Sequence, residues 1–527
     1  MRRLVVHFAL GTAILISSGT AFAQFGRGGG DWGGSGGDAQ RSGWVRTDAK
    51  ISPDRVSAPA FSMTWKLKFP NEAKQLNGLT VGSHITRYIG IKGFRTFAFI
   101  GGSGENVYAI DTDLGRVDWN KHLTGAAKGA STAACPGGMT ASVVRPVSAL
   151  IAAAPAAGRG GGGGRGSAAK STVSEPNQGS TILADIEARN AAAAANPAAG
   201  RGGGGGGGGR GQANLPRERR WISAHAITSD GAFHTMWVSN GNEPNPAIPF
   251  VPAGSNVAGL ILVDTIAYAA TTGSCGNAPD AIWALDITNK QVVSWKVPSG
   301  GLAGDGPAIG PDGTVYLTTQ SGELVALDGA TLKMKDAYKA GQAFTTSPVI
   351  FQNKDKVMAA AATKDGAIHV VDVASMASAV AKSAGGNAVS GSLVSWQDTG
   401  GARWILAPSA SRKIVAMKLT ENGLTAAWSS REMPAPLTPI VVNGVVFAAA
   451  SGEFQTTDAK LTAAQRAQKS TGAVLYALDG ASGKELWNSG KTITSFIHNG
   501  GISSNDSQVY LGTYDGTVYA FGFPIEH

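Results

Sequence analysis

The sequence predicts an all-β protein in which eight short antiparallel sheets of four strands are arranged as a β-propeller. Three observations predict this fold. A strand motif recurs at a period of about 40 to 50 residues, as in propellers and solenoids. Turn dipeptides divide each period into short strands, and a segment near the N-terminus resembles the strand that the last period lacks. The count falls to seven blades if the irregular unit around Trp237 does not form one.

The recurring motif reads apolar-aromatic-Ala-apolar-Asp, followed by a glycine turn and then a tryptophan. Its clearest copies begin at Val107 and Leu475. The eight units have their marker residues near positions 111, 238, 286, 328, 372, 418, 479 and 522. Markers from 286 to 418 are 42 to 46 residues apart, whereas the next step of 61 residues includes an extra loop around 454–471.

Within the units, Asp-Gly and Asn-Gly dipeptides separate alternating apolar runs, which is a strong hairpin signal. Examples are Asp312-Gly313, Asp365-Gly366 and Asn443-Gly444. Each unit is therefore predicted to be a four-stranded meander. The last unit lacks its fourth strand, and residues 63–67 resemble that strand. We expect them to complete the last blade and close the ring, which removes exposed sheet edges.

The N-terminal residues 1–23 have the layout of a cleavable secretory signal, with basic residues, an apolar run and Ala21-Phe22-Ala23 before Gln24. We expect the mature chain to be periplasmic or secreted. The apolar run is too short to span a bilayer, and no cysteine follows the cleavage site. The sequence therefore predicts neither a membrane span nor a lipid anchor.

Composition divides the remaining chain into three parts. Residues 24–43 are glycine-rich and are predicted to be disordered, and residues 44–527 are predicted to form a single propeller. Residues 151–214 are rich in Gly, Ala and Arg and are predicted to be a disordered insertion, because this composition buries too little apolar surface to offset the ordering entropy.

The formal net charge of +9 is modest for 527 residues, of which 15% are charged. Much of the surplus lies in Arg-Gly runs, but an exported chain rarely meets RNA, so we expect no nucleic-acid partner. Cys135 and Cys275 form an even pair in an exported chain, which permits one disulfide bond. The alternative is two separate thiols. A metal site is disfavoured because neither cysteine has a Cys or His at ligand spacing.

The repeat itself resembles that of pyrroloquinoline quinone (PQQ) propeller proteins, most clearly in Tyr108 to Trp119 and Tyr476 to Trp487. The resemblance covers roughly residues 44–523 apart from the insertion. It implies that the repeat tryptophan is wedged between neighbouring blades and that the repeat glycine allows the preceding tight turn. The tryptophans that match this position are Trp65, Trp119, Trp295, Trp428 and Trp487.

The PQQ-like family contains quinone-dependent dehydrogenases and non-catalytic propellers, so the repeats do not decide the function. The resemblance implies, for the dehydrogenases, an adjacent pair of cysteines over the quinone, acidic and amide ligands for calcium, and a catalytic Asp. This sequence has no adjacent cysteines. It also lacks the lipid-attachment cysteine of the assembly lipoproteins, so it departs from both branches.

Polar residues at the start of the predicted innermost strands converge on the channel. Those selected as candidate ligand-binding residues are His84, Arg145, His225, Asn256, Asp305, His498 and Asn499. Such a ring could bind an anion, a metal or a quinone, and the alternative is a hydrated channel without a ligand. The separation of these residues in the sequence is not typical of a metal site. The repeated Asp residues are better explained by turn hydrogen bonds, and no residue is predicted to be catalytic.

The sequence therefore favours a monomeric, exported, non-catalytic binding or scaffold module for a protein partner or a small ligand, with no cofactor expected. The competing hypothesis is a divergent PQQ-dependent dehydrogenase that uses calcium and oxidises an alcohol or a sugar. A third hypothesis is an extracellular partner-binding propeller in which the Gly-Arg insertion is a flexible tether.

Overall fold

The computed structural model describes residues 32–90, 93–123, 131–151, 222–458 and 460–524. The predicted signal, residues 1–23, lies outside the described residues. The same is true of the predicted insertion, except for Ile151 at its beginning.

The described residues form 33 strands, which are arranged as eight blades and numbered in chain order. Before blade 1 come β1 (Trp44–Val45), helix α1 (Pro53–Val56) and β2 (Ser62–Lys68). Blade 1 contains β3 (Ser83–Gly90), β4 (Gly93–Gly101), β5 (Asn106–Asp111) and β6 (Arg116–His122). Next come β7 (Pro146–Val147) and the strands of blade 2, β8 (Ser223–Ile227), β9 (Ala232–Trp237) and β10 (Ile248–Pro249). Blade 3 contains β11 (Asn256–Val263), β12 (Ile266–Thr272), β13 (Ala281–Asp286) and β14 (Gln291–Lys296), with a short 3₁₀ helix at Cys275–Asn277.

The remaining blades follow in the same order. Blade 4 contains β15 (Leu302–Ile309), β16 (Val315–Thr319), β17 (Glu323–Leu327) and β18 (Met334–Lys339). Blade 5 contains β19 (Val349–Asn353), β20 (Lys356–Ala362), β21 (Ile368–Asp372) and β22 (Ala379–Lys382). Blade 6 contains β23 (Val394–Gln397), β24 (Arg403–Ser409), β25 (Lys413–Thr420) and β26 (Gly423–Ser429). Blade 7 contains β27 (Ile440–Val442), β28 (Val445–Ala450), β29 (Val474–Asp479) and β30 (Glu485–Asn488), with helix α2 (Ala463–Lys469) between β28 and β29. Blade 8 contains β31 (Ile502–Asn505), β32 (Gln508–Gly512) and β33 (Thr517–Gly522).

The fold confirms the predicted eight-bladed propeller and its closure. Strand β2 pairs antiparallel with β33, so that Met63 lies opposite Phe521 and Trp65 opposite Ala520. The N-terminal strand thus supplies the outermost strand of the last blade. The irregular unit around Trp237 does form blade 2: β8, β9 and β10 form a sheet, and Val144 adds an inner antiparallel bridge to His225.

The core consists of layers between adjacent blades, because each sheet buries both of its faces against its neighbours. The third strand of the repeat is therefore buried along nearly its whole length, as in β5, β21 and β33. This explains why the motif reads as an almost continuous apolar run. The outermost strands, such as β6 and β14, alternate exposed with partly buried residues because only one of their faces meets a neighbouring blade.

The repeat tryptophans on the outer strands reach the next blade. The indole nitrogen of Trp428 in blade 6 donates a 3.0 Å hydrogen bond to the carbonyl oxygen of Gly480 in blade 7. Trp65 donates in the same way to Thr112, and Trp119 donates to Val238. Trp487 packs edge-on against Phe521 of blade 8, with ring centroids 5.5 Å apart. Trp295 packs in the core layer between blades 3 and 4.

The repeat glycine is required by this contact. Gly483 has φ of +72°, and a Cβ atom at this position would overlap the indole ring of Trp428. The left-handed backbone and the close approach therefore both select glycine. The Trp of one blade and the Gly of the next form one joint between blades.

We predict that Gly483→Ala lowers the free energy of unfolding by about 2 kcal/mol or more, since the side chain would both strain the backbone and displace Trp428. Gly444→Ala is the matched control. Gly444 lies in the same blade with φ of +82°, but a Cβ atom there has nothing within 4 Å. Urea denaturation measures the free energy of unfolding of both variants. Equal losses would show that backbone strain alone, and not the contact with Trp428, selects glycine at position 483.

Candidate functional site

The central channel contains a segment of the chain that circles its wall. The glycine-rich composition predicts disorder over residues 24–43, but residues 32–43 have defined positions and most of their side chains are buried. Residues 24–31 lie outside the described part of the chain. We call residues 32–45 the axial belt. The physical reason for the difference from the prediction is that the belt gains backbone hydrogen bonds to the blades, which composition does not reveal.

The axial belt supplies carbonyl oxygens to N–H groups on the innermost edges of the blades. The donors lie in blades 1, 2, 4, 5, 6 and 7, at distances of 2.7 to 3.1 Å. These bonds join His84 to Trp32, Arg145 to Gly33, Ile309 to Ala39, Ile350 to Gln40, Ser395 to Ser42 and Val441 to Gly43. In blade 7 the belt becomes strand β1, which pairs parallel with β27.

The two blades that donate no such bond to the belt are contacted differently. In blade 3, strand β7 pairs parallel with the inner strand β11. In blade 8, Asp48 accepts hydrogen bonds from the backbone N–H of Ser507 at 3.0 Å and from its hydroxyl at 2.8 Å. Seven blades therefore have a partner for the inner edge from the N-terminal segment or from β7, and blade 8 is contacted at the turn after its inner strand.

The glycines of the belt permit its close approach to the wall. A Cβ atom at Gly33 would overlap Cγ1 of Val147. Trp32, with 2% of its surface exposed, packs in the core layer that also contains Val45 and Ile440. Arg41 is buried, with 4% of its surface exposed, and it forms an ion pair with Asp305 at 3.9 Å. Burial lowers the pKa of Arg41 from its usual value.

His84 and His225, the two predicted channel histidines, are buried in the wall. In His84, Nε2 lies 2.9 Å from the hydroxyl of Ser503, and the ring stacks on Tyr510. In His225, Nε2 lies 2.9 Å from the hydroxyl of Ser223. Burial lowers the pKa of both histidines to about 3, and in His225 the nearby charge of Arg145 adds to this effect. Both rings are therefore neutral, and they act as structural hydrogen-bonding groups.

Asn256 and Asp305 lie in blades 3 and 4. The amide of Asn256 donates to the hydroxyl of Thr272 at 3.1 Å, within its own blade. Asp305 accepts a 2.8 Å hydrogen bond from the hydroxyl of Ser392 in blade 6, across the channel, and its side chain is 63% exposed. The belt residue Arg41 also faces Asp305. These two predicted residues therefore do not meet in one site.

His498 and Asn499 lie at the mouth of the channel, by which we mean the end where the innermost strands begin. Nδ1 of His498 lies 2.8 Å from Oε2 of Glu453, and Oε1 of Glu453 accepts a 2.6 Å hydrogen bond from Arg466. Asn499 donates to the side-chain oxygen of Asn77 at 3.3 Å. These two predicted residues border one narrow crevice, which leaves no room for a water molecule.

Sequence reasoning missed Glu453, Arg466 and the belt. The extra loop around 454–471 was visible as a longer repeat, and helix α2 within it carries Arg466. That irregularity was the available signal, because a departure from a regular repeat often marks a position with a separate role. The belt gave no comparable signal, since glycine-rich segments are more often disordered than buried.

The mouth also carries the bond between Cys135 and Cys275, whose Cα atoms are 5.6 Å apart. It joins the loop before Val144 to the hairpin between β12 and β13. The same loop accepts hydrogen bonds from Asn77, whose amide donates to the carbonyl oxygens of Gly137 and Met139 at 3.0 Å. The loops of the mouth are thereby fixed to one another.

The dehydrogenase hypothesis calls for calcium ligands and an adjacent pair of cysteines. No group of three or more His, Cys, Asp or Glu side chains in that part of the chain is placed to hold a metal ion. Calcium takes six to eight oxygen ligands, which the ion pair of Asp305 with Arg41 does not provide. Cys135 and Cys275 are 140 residues apart in sequence and are not an adjacent pair. In the same ranges, no helix is long and apolar enough to cross a membrane.

Comparison with known proteins places the fold. Residues 278–473 match the protein family described as outer membrane protein assembly factor BamB. Quinohemoprotein alcohol dehydrogenase from Pseudomonas putida HK5 superposes with a TM-score of 0.56 at 10% identity, over 95% of this chain and 81% of that chain. The corresponding enzyme from Comamonas testosteroni gives a TM-score of 0.54 at 13% identity, over 94% and 81%.

BamB from Moraxella catarrhalis aligns with a TM-score of 0.41 at 13% identity, over 58% of this chain and 81% of that chain. No curated protein matches the chain. At such low identities, the superpositions on the two dehydrogenases establish the fold alone.

We predict that Trp32→Ala lowers the free energy of unfolding by about 3 kcal/mol or more, because it empties a buried site in the belt. Phe94→Ala is the control, since Phe94 is 72% exposed and its removal should change stability by no more than about 0.5 kcal/mol. Urea denaturation compares the two. Similar effects of both substitutions would mean that the belt is not held against the blades.

The buried histidines predict a dependence of stability on pH. In the folded protein the pKa of His84 and of His225 is about 3, whereas an exposed histidine titrates near 6.5. Between these values only the unfolded chain takes up the proton. Stability is therefore full above about pH 6.5 and is lost as the pH falls toward 3, by roughly 1 kcal/mol per pH unit for each histidine.

His225→Gln should weaken this dependence between pH 6.5 and 4.5, as measured by urea denaturation at several pH values. His122→Gln is the control, because His122 is exposed on an outer strand. An unchanged slope in His225→Gln would contradict the prediction.

Proposed function

We propose that this eight-bladed β-propeller, whose repeat resembles that of PQQ propeller proteins and whose residues 278–473 match one family model, acts as a binding module rather than as a quinone-dependent enzyme. The observation that carries this proposal is the axial belt. A ligand on the axis would have to share the channel with a segment that is hydrogen-bonded to six blades.

The electrostatics of the channel support the same proposal. A general base needs a pKa near the working pH, whereas burial holds His84 and His225 far below it. The belt places the buried cation of Arg41 opposite Asp305. The Asp305 carboxylate at the axis therefore already has a partner. The crevice that borders the belt has a volume of about 10 Å³ and the crevice at the mouth has no measurable volume, against the roughly 300 Å³ of a typical ligand pocket.

Binding is proposed to occur at the mouth, where loops of several blades are fixed together by the disulfide bond and by Asn77. Rigid scaffolds that present loops commonly bind partners with those loops. The layout of residues 1–23 supports export to an oxidising compartment, and such a disulfide bond persists there. The partner is a protein or a small ligand, and the protein is proposed to act as a monomer.

Titration of the purified protein with PQQ and calcium tests the proposal. The protein is taken from the exported fraction, and its intact mass is expected to be that of a chain beginning at Gln24. We expect no saturable change in the thermal midpoint or in quinone absorbance. A ligand at 100 times its Kd would stabilise the protein by about 2.7 kcal/mol. Saturable binding together with oxidation of an alcohol would establish the dehydrogenase instead.

A further inference from the structure

The disulfide bond at the mouth joins two segments that differ in exposure. Cys275 is 2% exposed, whereas Cys135 is partly exposed and follows the exposed residues 131–134. A thiolate in solution therefore approaches the bond from the side of Cys135. Exposed or strained disulfide bonds are the ones that exchange readily with other thiols, whereas buried structural bonds resist reduction.

Residues 131–135, which we call the clasp loop, have hydrogen bonds that are local or exposed to solvent. The N–H of Thr132 donates to the carbonyl oxygen of Cys135 at 3.1 Å, and the N–H of Cys135 donates to the hydroxyl of Thr132 at 3.0 Å. Gln75 donates to the carbonyl oxygen of Ser131 at 2.9 Å in an exposed position. None of these three bonds reaches blade 3, so the clasp loop is fixed to that blade by the disulfide bond.

The other end of the bond lies in a turn with left-handed backbone. Ser274 and Asn277, which flank Cys275 and Gly276, have φ of +51° and +60°. This conformation is unfavourable for serine, whereas asparagine tolerates it better. Strain of this kind persists only while the surrounding structure holds the segment in place. The bond to Cys135 is part of that surrounding structure.

The chain that follows the clasp loop is held independently of the bond. Asn77 donates to the carbonyl oxygens of Gly137 and Met139 at 3.0 Å, and Met139 lies in the core layer between blades 1 and 2. Val144 and His225 exchange two backbone hydrogen bonds of 2.8 Å. The innermost part of blade 2 therefore keeps these partners when the bond opens.

From this arrangement we propose that the bond between Cys135 and Cys275 is a redox-sensitive clasp, which a dithiol reductant opens in the folded protein. Opening frees the clasp loop from blade 3 and lets the turn at residues 273–277 relax, while the eight blades stay assembled. The proposal goes beyond the binding function and does not depend on it, although both concern the mouth.

The exchange takes place in two steps. A thiolate of the reductant attacks Sγ of Cys135, forms a mixed disulfide with it and releases Cys275 as a thiolate, which takes up a proton. The second thiolate of the reductant then attacks the reductant's own sulfur in the mixed disulfide, and Cys135 leaves and is protonated in turn. The protein gains two electrons and two protons, and the reductant ends with an intramolecular disulfide.

The test treats the full mature protein with dithiothreitol in the absence of denaturant and follows amide hydrogen exchange by mass spectrometry. We expect two thiols per chain to appear, and exchange in the clasp loop and in residues 273–277 to become at least tenfold faster, because both segments lose their covalent link. Strand β21 of blade 5, which is buried along its whole length, should stay protected over the same exchange time. The double variant Cys135→Ser with Cys275→Ser should exchange as the reduced protein does.

A second variant tests the relaxation of the turn. Glycine adopts left-handed backbone without strain, so Ser274→Gly removes strain that reduction would otherwise relieve. The equilibrium constant for reduction by dithiothreitol should fall by about fivefold or more. Ser299→Gly is the matched control and should leave this constant unchanged, because Ser299 is an exposed serine whose backbone is not left-handed.

Three results would overturn the proposal: reduction that occurs only in urea, exchange in the clasp loop that reduction leaves unchanged, or a loss of protection in β21 equal to that in the loop. The last result would mean that the whole propeller opens. An equilibrium constant that Ser274→Gly does not alter would overturn the relaxation of the turn. None of these outcomes bears on the titration with PQQ and calcium, so the two proposals can fail separately.

Discussion

Eight sheets arranged around an axis leave eight inner strands, each with a row of N–H and C=O groups directed into the channel. Buried backbone groups without partners cost free energy comparable to a lost hydrogen bond. Here carbonyl groups of the N-terminal segment from Trp32 to Gly43 accept from an N–H group in each of six blades. This pairing holds the segment against the inner strands.

The wall itself encloses the two channel histidines. The rings of His84 and His225 stack on Tyr510 and Phe233, which belong to the blades, and burial keeps both rings neutral over the physiological range. His498, which is held by Glu453 and is 27% exposed, lies at the mouth rather than on the axis.

Much of the fold was predictable because the repeat encodes it directly. The third strand is buried on both faces and reads as an apolar run, the turn glycines have left-handed backbone, and the outer tryptophans are large and sparse. Trp65 is one of these outer tryptophans, and it marked residues 63–67 as the closing strand. Blade 2 was harder to read because its inner strand, around Val144, is separated from β8 by the long insertion.

The site was less predictable, since it depends on residues that the repeat does not contain. His498 and Asn499 were selected from their position before an inner strand, but their partners Glu453 and Asn77 come from other blades and have no periodic signature. The selection also included residues that only support the wall, such as Asn256. The belt escaped prediction because close approach to a wall and disorder both favour glycine, and sequence composition alone does not separate these two causes.

The closing strand has a consequence for the order in which the protein folds. Residues 62–68 pair with residues 517–522, and the belt contacts inner strands from His84 to Val441. The first described residues of the chain thus acquire their last partners only when nearly all of it has been made. At about 5–20 residues per second, synthesis takes at least tens of seconds, and during that time β2 and the open edge of the growing ring are unpaired. Contacts so distant in sequence also form slowly. The protein therefore exposes strand edges for longer than a fold built from neighbouring contacts, and its yield should depend on protection of those edges before the ring closes.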